Sequence, residues 1–288
     1  MMGLISPTPR RGLATALLLL SAAAFSPALA QEAAPAAAPA PQAETKPADA
    51  KPADAKPADA KPDAPQWKEQ AALDLLKAAT DKIAAAKTLS VTIESERPVA
   101  TTLGQFVTKL EETDITLSRP ERFRAKVRSG ENKVEYLYDG DSLVLFDKNT
   151  NLYARLKVGG DVAAMLQKAA ETSAIQFAAA EFLLPDPYAV LTEGLANAYV
   201  VGPSLVDGDM TVQAVYAAPG LEWQLWVDPD TDLPVRYQVT HLDEPGLPTY
   251  VARFSDWDLK EKAGPGEFTF KVPKGAVEIG LLPAAKAE

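Results

Sequence analysis

The spacing of apolar residues changes along the chain, and each change predicts a different element. Over Gln66 to Lys87, Leu73, Leu76, Ala79 and Ile83 recur at three- and four-residue steps, with Asp74, Lys77, Asp81 and Lys82 on the opposite side. That pattern predicts an amphipathic helix. From Ser90 the period falls to two: Val91 and Ile93, then Ile115 and Leu117, then Phe123, Ala125 and Val127 alternate with Thr, Arg and Lys. Such alternation predicts half-buried antiparallel strands. Val134 to Tyr138, Leu143 to Phe146 and Leu152 to Val158 follow, joined by turn-forming Asp139-Gly140-Asp141 and Lys148-Asn149-Thr150-Asn151. Leu143 to Phe146 is apolar at every position, which predicts cover on both faces of that strand, by helices or around a cavity.

The next segment predicts helices. Asp161 is placed to cap Val162 to Thr172, whose Val162, Met165, Leu166 and Ala169 share one stripe. Phe177 to Leu184 predicts a second short helix, stopped by Pro185-Asp186-Pro187, and Tyr188 to Leu195 a third. Strands are then expected at Ala198 to Val201, Met210 to Ala217, Glu222 to Val227, Val235 to Thr240, Thr249 to Trp257 and Glu267 to Val272. Strands this closely spaced, without helices between neighbours, predict an α+β fold that is mainly antiparallel β. The expected architecture is a single half-open curved barrel of about eleven strands, with a leading helix and a helical insertion acting as a lid.

Residues 1–65 follow neither period. Arg10 and Arg11 precede an apolar run, Leu13 to Phe25, and Pro27-Ala28-Leu29-Ala30 ends in a small-x-small pattern. Residues 1–30 are therefore expected to be a signal peptide cleaved after Ala30. The run is shorter than the roughly 20 residues a spanning helix needs, so no stable membrane insertion is expected after cleavage. Pro9 stands where a twin-arginine signal usually carries a polar residue, which favours the general secretory route. Residues 31–65 hold fourteen Ala and eight Pro, and Lys-Pro-Ala-Asp-Ala recurs from Lys46, Lys51 and Lys56. With no large apolar side chain to offset ordering entropy, this stretch is expected to be a disordered linker. Residues 66–288 remain as one folded domain.

Composition narrows the chemistry. The 288 residues include 29 Lys and Arg against 39 Asp and Glu, for a net charge of −10 and a pI near 4.8. An acidic chain lacks the clustered cations that grip nucleic acid, so no nucleic-acid partner is expected. There is no Cys and one His. Disulfides, thiolate metal sites and a lipid-bearing cysteine are excluded, and no metal or other cofactor is expected.

The individual candidates for chemistry are sparse. His241 would need a nucleophile such as Ser255 and an orienting carboxylate, and no serine lies in a nucleophile-elbow glycine motif, so the hydrolase reading is remote. Asp228, Asp230 and Asp232 imitate the start of a calcium loop, but Leu233 replaces its glycine and Val239 its bidentate Glu, so a hairpin turn is expected. Arg122, Arg124, Lys126 and Arg128 form a basic stripe on one strand face, expected either to pair with Glu94 and Glu96 or to meet an anionic headgroup or partner. Finally, Phe123, Tyr136, Leu145, Met165, Leu166, Phe177, Phe182, Leu183, Trp223 and Trp226 are either ordinary core or the wall and lid of a hydrophobic cavity.

Several stretches carry a resemblance. Arg119-Pro-Glu-Arg-Phe123-Arg124, the Tyr138-Asp-Gly140 turn into Leu143 to Phe146, the Asp228-to-Pro234 turn, and Phe268-Thr-Phe270 running to Ala276 resemble the lipoprotein-carrier fold of LolA and LolB. Leu184-Pro-Asp-Pro187, Tyr199-Val-Val-Gly202, Trp223-Gln-Leu-Trp226 and Trp257 look more closely like an uncharacterised family of predicted periplasmic proteins sharing that fold, over about residues 67–283. Members of that family often carry a Cys and a nearby His where this chain has Met210 to Tyr216. The resemblance implies a non-enzymatic periplasmic protein whose partner is a hydrophobic ligand (acyl chain, lipid or lipidated protein). The alternative is an envelope protein-interaction or stress-sensing module with a fully packed barrel.

Overall fold

The computed structural model describes residues 66–173 and 175–281. The expected signal peptide and linker lie outside the described residues. Twelve strands form one sheet: β1 (Thr88–Ala100), β2 (Phe106–Ser118), β3 (Arg122–Ser129), β4 (Asn132–Tyr138), β5 (Ser142–Asp147), β6 (Leu152–Lys157), β7 (Asn197–Val206), β8 (Asp209–Ala218), β9 (Leu221–Val227), β10 (Pro234–His241), β11 (Thr249–Asp258) and β12 (Val277–Ile279). Their order is β12-β6-β5-β4-β3-β2-β1-β11-β10-β9-β8-β7. Two antiparallel meanders, β1 to β6 and β7 to β11, are joined by pairing of β1 with β11, and β7 and β12 remain as separate edges. The sheet is open and curved, and irregular pairing at Ser90/Thr92, Val200/Gly202 and Pro234/Arg236 adds local bending.

One face of the sheet, the inner face, carries the helices. On β1, Leu89, Val91 and Ile93 point inward; Ile115 and Leu117 of β2 and Phe123 and Ala125 of β3 continue the same layer. The leading helix α1 (Gln70–Ala85) buries Ala72, Leu76, Ala79 and Ile83 against it, and the Tyr216 hydroxyl donates to the Ala72 carbonyl at 2.8 Å. The insertion consists of α2 (Val162–Ser173), a 3-10 turn (Ala180–Leu183) and α3 (Pro187–Thr192). Asp161 caps α2 by accepting the Ala164 N–H at 2.9 Å, as its sequence position predicts.

Four expectations need correction. The leading helix starts at Gln70 rather than Gln66, because Trp67 to Glu69 instead pair with the edge strand β7: the Glu69 and Ala198 amides donate to Ala198 and Trp67 carbonyls at 2.8 and 2.9 Å. The helix expected over Phe177 to Leu184 is only the 3-10 turn, preceded by Ala179 in the left-handed region at φ 48°. The third helix stops at Thr192, ahead of Gly194 at φ 67°. Glu267 to Val272 is not a strand. Phe268 is buried and Phe270 lies against Phe146 and Tyr153, with ring centroids 5.4 and 5.1 Å away. The apolar alternation there docks side chains, and backbone pairing comes later, where β12 runs parallel to β6. This C-terminal strap is the outer cover of β5: Leu143 enters the inner core, while Phe146 faces outward beneath Phe270.

Candidate functional site

The inner face of the sheet beneath the insertion collects most of the apolar candidates. Phe177 sits between Phe123 and Tyr136, edge-on to both at centroid distances of 4.9 and 5.0 Å. Phe182 makes the same kind of contact with Tyr237 and Phe254, at 5.2 and 5.6 Å. Trp223 stacks on Tyr216 at 3.9 Å, and Met165, Leu166 and Leu183 are buried in the same cluster. Leu145 pairs with Tyr136 across β4 and β5 and is half-buried.

Trp226 departs from the expectation. It is three residues from Trp223 on one strand, and alternation therefore sends it to the outer face. There the Arg236 guanidinium lies over its ring at 5.3 Å, and its indole N–H donates to Ser204 Oγ at 3.3 Å. It cannot line the inner face.

A few polar contacts tie the insertion to the rest of the domain. Arg119, in the β2–β3 connection, donates from Nη1 to the Leu183 carbonyl at 2.8 Å and from Nε to the Ala86 carbonyl at 3.2 Å. Burial pulls its guanidinium pKa down. The Val162 amide donates to the Pro120 carbonyl at 2.8 Å, and the Tyr138 hydroxyl to the Gly160 carbonyl at 2.7 Å. The remaining contact of the 3-10 turn with the sheet is chiefly apolar.

A polar group interrupts this apolar layer near one end of β1, β10 and β11. Ser95 Oγ and Arg97 Nε are buried without a hydrogen-bond partner, and the buried hydroxyls of Tyr237 and Tyr250 meet only the Glu181 carboxyl and the Ala179 backbone, short of well-formed bonds. The Arg97 guanidinium lies over the Tyr250 ring at 5.8 Å. The Glu181 carboxyl, carried by the 3-10 turn, is enclosed beside Tyr237, although part of the residue reaches solvent. Burial raises its pKa. Enclosure raises the Tyr250 and Tyr237 hydroxyls too, with the nearby Glu181 carboxyl adding to the effect. Sequence reasoning passed over Ser95 and Arg97. The available signal was their position: they continue the Val91 and Ile93 row, where an apolar residue is expected.

The charged candidates resolve into local pairs. On the outer face, Arg128 bonds Glu112 and lies 3.2 Å from Asp114. Arg124 donates from Nε to Glu135 at 2.6 Å, and Lys148 reaches the same carboxylate at 2.8 Å. Burial of Glu135 works against its charge, but the hydrogen bonds from Lys148 and Arg124 outweigh it and hold the carboxyl below its ordinary range. Glu94 and Glu96 are not the partners, because β2 stands between β1 and β3; Glu96 pairs with Arg253 at 3.1 Å. Among the described residues, no carboxylate lies within 4 Å of Arg122 or Lys126.

His241 closes β10, with Nδ1 3.6 Å from Glu244 and Nε2 buried without a partner. Its amide meets Pro248, whereas Ser255 is seven residues further along β11, roughly 20 Å away at strand rise, so the two cannot act together. Asp228 builds the expected turn, accepting the Asp230 amide and the Thr231 hydroxyl, both at 2.8 Å. Among the described residues no acidic or His group gathers as a metal site, and no helix is long and apolar enough to cross a membrane.

No curated protein sequence matches the chain. Among solved structures it is similar to the Mycobacterium tuberculosis lipoprotein LppX, at 15% identity over 68% of this chain and 98% of that one, with a TM-score of 0.41. It is also similar to a Pseudomonas aeruginosa MucA/MucB complex, at 17% identity over 70% and 61%, TM-score 0.38. A LolA superfamily protein from Nitrosomonas europaea matches at 10% identity over 69% and 97%, TM-score 0.33. The family match is more extensive and covers residues 72–282, from α1 through β12. The chain belongs to the family described as predicted periplasmic protein, DUF2092.

Proposed function

We propose that this protein is a non-enzymatic envelope protein that receives a hydrophobic ligand, the acyl chain of a lipid or lipidated partner, between the insertion and the inner face of the sheet. The observation that carries it is the seating of Phe177 and Phe182 on the inner face of an open sheet. Apolar side chains held mainly by other apolar side chains can be exchanged for an acyl chain at small cost, because both partners bury similar surface. Export with cleavage after Ala30, and a spacer over residues 31–65 ahead of a domain at 66–288, belong to the same proposal. The periplasmic description of the family supports that location.

Binding of N-phenyl-1-naphthylamine to the purified domain, followed by displacement with phospholipid, tests this proposal. Saturable binding is expected. Its absence, together with a lipid-free denaturing extract, would sink the idea.

A second reading, an interaction or stress-sensing module with a packed barrel, is favoured by the outer edge at β7. Tyr199, Val201 and Leu205 are exposed there, beside Met210 at the start of β8. Recovery of a stoichiometric protein partner, unaffected by Leu145→Glu in a folded variant, would favour it.

A further inference from the structure

Two adjacent rows of the inner face gather four of the seven buried side-chain atoms that lack a well-formed hydrogen bond among the described residues. In the first, Ser95 of β1 faces Ala252 of β11, which in turn faces Tyr237 of β10. In the second, Arg97 covers the ring of Tyr250, which faces Val239. Ala252 at the centre of the first row is a methyl group between a hydroxymethyl and a phenol whose strands are roughly 10 Å apart.

None of these four atoms makes a well-formed hydrogen bond within the protein, each can donate one, and Ser95, Tyr237 and Tyr250 are more than nine-tenths buried. Buried donors are ordinarily satisfied, and leaving one unsatisfied costs about 1–3 kcal/mol. Four in two neighbouring rows, with a guanidinium among them, define a place suited to an acceptor. The apolar walls are Phe182, Phe254 and Val239.

We propose that Ser95, Arg97, Tyr237 and Tyr250 hold the oxygen-bearing head, carboxylate or ester, of a long acyl chain whose hydrocarbon runs beneath Phe182. This rests on the acyl-chain reading given above and adds where the head goes. A doubly charged phosphate fits poorly, because the Glu181 carboxyl lies beside both tyrosines and, among the described residues, a single guanidinium, that of Arg97, lies over the Tyr250 ring. A single carboxylate or a neutral ester matches one guanidinium and three hydroxyls.

The test displaces N-phenyl-1-naphthylamine from the full mature chain with dodecanoic acid, methyl dodecanoate and dodecane. Acid or ester is expected to act at a concentration roughly tenfold or more below dodecane, the effect of about one well-made hydrogen bond. Acid ahead of ester identifies a free carboxylate as the natural head, and parity identifies an acyl ester. In Arg97→Met and in Tyr250→Phe the preference over dodecane should collapse toward unity. Tyr250→Phe removes a hydroxyl whose one contact in the protein, with the Ala179 backbone, falls short of a well-formed bond, so it retains the fold and keeps the comparison open if Arg97→Met does not fold. Equal displacement by all three compounds, or a preference that survives both variants, overturns the head site while leaving acyl-chain binding standing. No binding of the fluorophore overturns both.

Discussion

The Arg119 guanidinium joins two segments that approach each other from different parts of the chain: Nη1 donates to the carbonyl of Leu183, 64 residues away, while Nε donates to the carbonyl of Ala86 at the end of α1. Both acceptors lie at ends of helical segments, where carbonyls lack intrahelical partners. One side chain therefore fastens the 3-10 turn of the insertion to the leading helix.

Arg119→Met should loosen the insertion before it loosens the sheet. It keeps much of the apolar stem and leaves two carbonyls without their charged donor, which costs about 2–4 kcal/mol for two such bonds. Urea unfolding should show that loss. Amide exchange should accelerate first over residues 175–184, and uniform acceleration across β1 to β11 would contradict a fastening role.

The two tryptophans of β9 should respond differently to truncation. Trp223 is stacked on Tyr216 inside the core, so Trp223→Ala should cost about 3–5 kcal/mol. Trp226 is buried too, but on the outer face beneath Arg236 and outside that cluster, and Trp226→Ala should cost less, about 2–3 kcal/mol from lost area and the cation contact. Chemical denaturation of both variants checks the order, and equal losses would contradict the assignment of faces.

Much of this arrangement was legible because it depends on period alone. Val91, Ile93, Ile115, Leu117, Phe123 and Ala125 all enter the inner core from alternate positions on their strands. The same rule separates Trp223 from Trp226, and grouping them by residue type obscured it. Phe268 and Phe270 show where period fails, since an extended segment that docks its rings on β5 and β6 alternates as a paired strand does. Arg119 and the Glu181 neighbourhood were hidden for another reason. Their partners, a helix-end carbonyl and two tyrosines on distant strands, are fixed by the fold and leave no mark in local sequence.

Glu135 should make the wild type acid-sensitive. Its folded pKa lies below the ordinary value, so the group stabilises the fold above the unfolded carboxyl pKa, about 4.3, and that contribution is lost as pH falls through the folded value. Glu135→Gln should lower stability by about 2 kcal/mol at neutral pH, where Arg124 and Lys148 lose their shared acceptor. The deficit should shrink on acidification. Denaturation at a series of pH values below 5 measures it, and a constant deficit would contradict the pairing.

Glu181 should show the opposite sign. Enclosure raises its folded pKa above the unfolded one, so between the two values the folded state binds more protons than the unfolded state. Stability is then fully present below the unfolded pKa and declines as pH rises through the folded pKa. Glu181→Gln keeps the shape of a protonated carboxyl and has no proton to lose. The variant should match the wild type near pH 4 and gain on it as pH rises, reaching its full advantage above the folded pKa of the wild-type carboxyl. Tyr237 and Tyr250, both raised, stay neutral over this range and do not reverse the trend. The same denaturation series extended to pH 8 supplies the measurement, and a variant less stable than wild type at pH 8 would mean that the Glu181 charge is paired rather than enclosed.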